Sequence, residues 1–149
     1  MAVVPEGDFT LETPDETLWN THQHDASLIS ADQIILYDNG NTRCAFYPEL
    51  CCSRGQVYQI NEDVMTAMLP LNADLQTYAF ALGSAQTLSN GNYHFDSGIQ
   101  TGNPANYSLA QEVLPDGSLI YEMYTEMPAY RSFRLVNLYL SDDFVPPPE

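Results

Sequence analysis

Hydrophobic and polar positions alternate in short runs along most of the chain, and turn residues separate the runs. Gln33–Tyr37 reads as a strand ending in the tight turn Asp38-Asn39-Gly40. Gln56-Val57-Tyr58-Gln59-Ile60 alternates and is rich in strand formers. After the turn Asn61-Glu62-Asp63 the pattern resumes over Val64–Met68. Further strands are expected over residues 74–82, Ser118–Met123 and Tyr130–Leu140, with a short one over Phe9–Leu11. No stretch shows a helical period; the nearest candidate, residues 60–72, fits a hairpin better. The terminal Val145-Pro146-Pro147-Pro148-Glu149 cannot enter a sheet interior.

Two of these hairpins recur. Aligning Ala26 with Ala85 brings Ile29 onto Leu88, Ser30 onto Ser89 and Leu36 onto Phe95, an offset of 59. The second copy carries Gly83 where the first carries His24, so the histidine is wanted only once. Farther on, Gln59-Ile60 matches Glu112-Val113 and Asp63 matches Asp116, an offset of 53. About nine short strands in two copies of a four-stranded unit predict an all-β chain built as a β-propeller segment. Its expected divisions are a lead-in over 1–18, a blade with His24 over 19–72, and a second blade over 73–127. A closing strand over 128–141 and a proline-rich tail over 142–149 follow. A propeller ring needs at least about four blades. Self-association, or a partner chain supplying the missing blades, is therefore expected. The edges near Phe9 or over Tyr130–Leu140 are the ones expected to meet a neighbour's strand.

The 149 residues suffice for one domain with a sizeable core. Their net charge of −16 arises from twenty carboxylates against four arginines and no lysine. A nucleic-acid partner needs clustered cations to meet phosphates, so that class is excluded, and an anionic membrane surface is disfavoured for the same reason. No run approaches the roughly 18 apolar residues of a membrane span. The first residues lack the basic start and apolar core of a signal peptide.

Chemistry-bearing residues concentrate in His22-Gln23-His24-Asp25. On an extended backbone His22 and His24 share a face. Three readings stay open: His24 as a nucleophile or general base with Asp25 nearby, a His-x-His metal chelate, or polar surface at a strand start. The metal reading is weakened because His94, inside the Tyr93-His94-Phe95 strand, is the only other histidine. Asp38-Asn39-Gly40-Asn41 lacks the spaced acids of a calcium loop and reads as a turn. No metal and no cofactor are expected. Arg54 either meets an anionic group or pairs with one of the many carboxylates. Arg131 and Arg134, three apart in an extended segment, fall on opposite faces, so at most one serves any site. Cys44, Cys51 and Cys52 lie in one short loop. A bridge from Cys44 to Cys51 or Cys52 would imply an oxidising compartment; the alternative is three reduced thiols.

Several of these segments together resemble a known family. They are Trp19 with Gln23-His24-Asp25-Ala26, then Ile34 through Gly40, then Ser53-Arg54-Gly55 through Ile60. The likeness continues in Gly83 through Gln86, Ser89 through Asn92, Glu112 through Gly117, and Tyr130 through Arg134. The stretch from Trp19 to Leu140 resembles the later blades of PAPS-independent arylsulfotransferases. The resemblance implies a six-bladed propeller, usually extracytoplasmic (periplasmic or secreted) in bacteria. It implies His24 as the nucleophile that accepts a sulfuryl group from a phenolic sulfate donor and passes it to a phenol acceptor. Arg54 becomes a candidate oxyanion contact on its chemistry alone. The family draws further histidines, an asparagine and an arginine from earlier blades that nothing here matches. The chain alone is thus expected to be inactive. The competing expectation is a non-catalytic propeller fragment that serves as a binding or assembly module.

Overall fold

The computed structural model of the chain describes residues 9–12, 15–100 and 106–135. The fold is all-β. Strand β1 (Thr10–Leu11) is followed by a short 3-10 turn over Glu16–Leu18, capped by the Asp15 side chain. Strands β2 (Gln23–Leu28), β3 (Gln33–Asp38), β4 (Arg54–Asn61) and β5 (Thr66–Asp74) form an antiparallel meander. β1 extends it by pairing parallel to β5, with Thr10 opposite Thr66. The second sheet contains β6 (Ala79–Ala81), β7 (Ser84–Thr87), β8 (Tyr93–Gln100), β9 (Tyr107–Val113) and β10 (Leu119–Thr125). β6 and β7 both lie on β8 and are separated by a kink, where Leu82 and Gly83 take positive φ.

The offset of 59 survives in the closing bonds of two equivalent hairpins, Ile29 N–H to Gln33 O and Leu88 N–H to Asn92 O. The offset of 53 does not. Leu36 pairs with Gln56 and Phe95 with Gln111, so the ladders equate Gln56 with Gln111, an offset of 55. The next turns agree: Asn61 Oδ1 accepts from Asp63 N–H as Asp116 Oδ1 accepts from Ser118 N–H. Matching Asp63 to Asp116 paired residues of the same type that stand at different places in the turn.

Three expectations about elements need correcting. A short helix, α1 (Asn41–Phe46), and a 3-10 turn over Pro48–Leu50 occupy the loop read as irregular. Six residues are too few to show a helical period, and the helix starts only because Gly40 takes a left-handed φ of 78°. The strand placed at Val64–Met68 is the start of β5, which runs on to Asp74, so that the strand placed over 74–82 shrinks to β6. The closing segment makes no backbone ladder over its described part. It follows β7 through side chains instead: Ser84 Oγ donates to Ser132 O, and Gln86 exchanges bonds with the backbone of Arg134. Residues 136–140 of that expected strand lie outside the described residues. The segment near Phe9 pairs with β5 of its own chain on one side and forms the edge of the sheet on the other.

The main core lies between the two sheets. Ile35, Tyr37, Val57, Leu71 and Ala73 of the first face Ala79, Ala85, Phe95 and Val113 of the second, with Leu75 beside them. A smaller cluster on the far side of the first sheet gathers Leu11, Leu36, Tyr58 and Ala67 under Leu18 and Trp19. Trp19 stacks on Tyr58, ring centroids 5.9 Å apart. Gly55 lies under the Phe95 ring of the second sheet, and a Cβ there would run into that ring. Phe95 is fully buried and has no room to retreat. Gly55→Ala is therefore expected to cost about 1–3 kcal/mol by overpacking, read as a lower urea midpoint. An unchanged midpoint would mean that the sheets part without penalty.

Candidate functional site

The ladder decides which side chains can meet. Gln23, Asp38, Arg54 and Asp74 lie across from one another on successive strands, and so do His24, Tyr37, Gly55 and Ala73 on the next rung. Neighbouring rungs project to opposite faces. The His24 rung faces the second sheet, and the Arg54 rung faces the N-terminal segment. Arg54 is buried there and donates from Nη1 to Thr17 O at 3.0 Å. The fold therefore does not bring Arg54 and His24 together.

His24 is half-buried, and its strand is irregular at this point. Between His24 and Ser27 the β2–β3 register slips, with Asp25 at a left-handed φ of 53°. Such a bulge re-aims the side chains beside it. His24 Nδ1 lies 2.6 Å from Asn39 Oδ1. The Asn39 amide cannot be turned over, because its Nδ2 donates to Ala79 O at 2.7 Å and to Leu82 O at 3.0 Å. Its Oδ1 must accept, so in the neutral ring Nδ1 of His24 carries the proton and Nε2 the lone pair. That Nε2 has no hydrogen-bond partner among the described residues.

Asn39 is itself fully buried at the junction of the sheets. Ser53 Oγ donates to Asn39 O and accepts from Ala79 N–H, tying the same strands a second time. The start of β6 and the kink after it thus each turn one carbonyl towards Asn39, and Asn39 turns towards His24. Asp25 ties the bulge down on its other side. Its Oδ2 accepts from Ala85 N–H at 3.1 Å, and its Oδ1 lies 3.0 Å from Arg131 Nη1. Tyr37, opposite His24, is fully buried and donates to Ser97 Oγ at 2.8 Å. Burial pushes its phenol well up, so it stays neutral. Gly83, aligned with His24 in the repeat, has φ 143° and lies against the Tyr37 ring, where any Cβ would collide. The second copy has no space for a histidine.

Below this junction is a buried ion pair. Asp38 Oδ2 and Arg43 Nη1 are 2.6 Å apart with both side chains out of solvent. Burial raises the Asp38 carboxyl, while the Arg43 charge and the N–H groups of Thr21 and Gly40 pull it back. Arg43 also donates from Nη2 to Cys52 O. The pair therefore locks α1 to the end of β3 and holds the turn that carries Asn39.

The remaining candidates lie apart from His24. His22 is exposed at φ 62° and meets Thr42 Oγ1 at 3.4 Å; with that backbone the rule for extended chains does not apply, and the two histidines go separate ways. Among the described residues no group of three His, Cys, Asp or Glu could hold a metal. Cys44 and Cys51 form a disulfide with Cα atoms 4.1 Å apart. Cys52 is a free thiol that burial pushes up. His94 is buried on the far face of the second sheet, with Nε2 3.0 Å from Ser132 Oγ.

Asp96 shares that face, is buried, and has neither oxygen in a hydrogen bond. Burial raises its carboxyl to about 6; the Ser132 hydroxyl pulls weakly the other way but bonds to His94. A carboxyl raised above its unfolded value helps the fold while protonated and loses that help as the pH climbs through about 6. His94 has the opposite sign: burial, then the Arg134 charge, lowers it, so its contribution is lost as the pH falls. Asp96→Asn is expected to stabilise the protein at pH 8, by up to about 3 kcal/mol, and to change little at pH 4. Thermal melts at both pH values check this. A difference that does not vary with pH would rule out a buried titrating carboxyl.

Sequence reasoning singled out His24 and Asp25, read Asn39 only as part of a turn, and left Arg131 and Arg134 undecided. Asn39 looked complete as a turn residue, although a strand ending in Asp-Asn-Gly beside the His24 strand was a usable signal. Nothing local connects Arg131 to Asp25. In comparison with known proteins, the family described as Arylsulfotransferase (ASST) matches residues 7–130. No curated protein and no solved structure matches the chain.

Proposed function

The chain belongs to the arylsulfotransferase family, and on that premise we propose that His24 carries a sulfuryl group from a phenolic sulfate ester to a phenol. The observation that carries this reading is the His24–Asn39 contact with the Asn39 amide held by two carbonyls. It leaves Nε2 as the nucleophilic nitrogen. Nε2 attacks sulfur; the N–S bond forms as the S–O bond to the ring breaks, and the phenolate leaves with the electron pair. The sulfonated imidazole is a zwitterion, its cationic ring bonded to the anionic SO3 group, and it keeps its Nδ1 proton on Asn39 Oδ1. A second phenol, deprotonated, then attacks sulfur, and the N–S electrons return to Nε2. With excess 4-nitrophenyl sulfate, one sulfuryl group per chain is expected on His24 by peptide mass mapping. Stable labelling elsewhere, or none, would sink the assignment.

In this reading the two meanders are successive blades of a six-bladed propeller. Their equivalent hairpins and their face-to-face packing support it. The location is extracytoplasmic, periplasmic or secreted, in keeping with the Cys44–Cys51 disulfide. No described helix is long and apolar enough to cross a membrane. Steady turnover by this chain alone is not expected, because the site draws on two sheets only. The second reading, a binding or assembly module, is favoured by Ile120, Tyr121, Met123 and Tyr124, which leave β10 apolar and exposed. Either reading predicts self-association or a partner chain along that strand. Light scattering is expected to show a mass above that of one chain, or a shift towards it with concentration. A monomer at every concentration would count against self-association.

A further inference from the structure

All four arginines are described. Arg43 is buried on Asp38, and Arg54 is buried on Thr17 O. Arg131 and Arg134 are both partly exposed, and each gives only Nη1 to one carboxylate, Asp25 and Glu112 respectively. What sets Arg131 apart is its place: its carboxylate partner is the residue after His24, and its side chain is 42% exposed. Its guanidinium lies 5.3 Å from the centroid of the Tyr130 ring, which steadies the group without using its N–H donors. Asp25 is the residue after His24, and its second oxygen is fixed by Ala85 N–H. The carboxylate is held at both oxygens, so the bulge that aims His24 also holds a cation on the next residue.

We propose that Arg131 is the anion contact of this site and binds the sulfate oxygens of an aryl sulfate ester next to His24. The inference rests on the His24 reading for the identity of the ester, whereas binding itself requires no transfer. Asp25 takes one nitrogen of the planar fork. Nη2 and Nε remain to donate to two sulfate oxygens, a geometry that an ammonium cannot reproduce. The rest of the chain repels anions, with a net charge of −16 and no lysine to share the work. A sulfate monoester, with a single negative charge, asks for one partly neutralised cation, and the site offers that. Arg54, the candidate from sequence, faces the other side of the sheet.

The test separates binding from chemistry by using the full chain with His24→Ala, titrated with 4-nitrophenyl sulfate by calorimetry. Adding Arg131→Gln is expected to weaken binding by about tenfold or more, the loss of a charge-assisted contact. Arg131→Lys should fall between, because it keeps the charge and loses the fork. Arg134→Gln, which removes an equal charge from the same segment, should change affinity by less than about twofold, because that charge sits on Glu112 and reaches a bound anion only through screening solvent. Equal affinity in Arg131→Gln, equal losses in both glutamine variants, or no binding by the parent would overturn the proposal. If Arg131→Gln melts early, the lysine variant decides alone: affinity equal to the parent overturns the inference, and a partial loss supports it. Sulfuryl labelling of the chain with His24 intact reports on the His24 reading independently of this result.

Discussion

Replacing His24 by Ala is expected to abolish sulfuryl labelling, and replacing Asn39 by Leu to slow it by on the order of 10²-fold or more while His24 is still present. The first loss follows because His22, the other histidine of the segment, turns away towards Thr42 and has no contact with Asn39. The second tests the tautomer. A leucine side chain in place of the amide could neither hold the Nδ1 proton nor stop it from moving to Nε2, and a protonated Nε2 is no nucleophile. Asn39→Asp separates orientation from stability. Its carboxylate still accepts from Nδ1, so labelling should largely persist. It also places negative charge against Ala79 O and Leu82 O, which lose their donor, and an unpaired buried carbonyl costs about 1–3 kcal/mol. Labelling rates and thermal melts, taken together on the three variants, decide the matter. Labelling of Asn39→Leu at the wild-type rate would show that Asn39 supports the sheets without orienting the histidine.

The largest loss of stability is expected at Arg43→Met. Removing one member of a buried pair strands the other charge, at a cost of about 3–5 kcal/mol. In a chain of this size that corresponds to a fall in Tm of roughly 10 °C or more. Asp38 would keep the N–H groups of Thr21 and Gly40 but lose its counter-charge, and Cys52 O would lose its donor. The double variant Asp38→Asn/Arg43→Met should cost less than the sum of the single changes, because it removes the stranded charge with its partner. Exact additivity would mean that the two groups do not feel each other. Because the pair holds the turn after β3, Arg43→Met should also lower His24 labelling, through displacement of Asn39.

The strands, the duplicated hairpins and the singular histidine were legible in the sequence because their signals are local. Period-two alternation marks a pleated strand wherever it packs, and Asn-Gly or Asp-Gly pairs mark turns by their own backbone freedom. The offset of 59 could be read because its hairpins are equal in length. The offset of 53 misled because similar residues stand at different steps of the two later turns. The resemblance that pointed to an arylsulfotransferase likewise rests on short runs, and the match over residues 7–130 places the chain in that family.

What only the tertiary structure decided is how those pieces face one another. A slip of one residue reverses the face of every side chain on a strand, so the ladder, not the motif, sends Arg54 away from His24. The left-handed backbone at His22 and Asp25 breaks the period that would have paired the two histidines. Asn39 becomes the histidine's partner only where β6 and the kink after it supply two carbonyls. Asp25 reaches Arg131 only because the closing segment runs back along β7, far away in the chain. Sequence spacing carries contacts within an element; these contacts arise between elements, where packing and register determine which side chains meet.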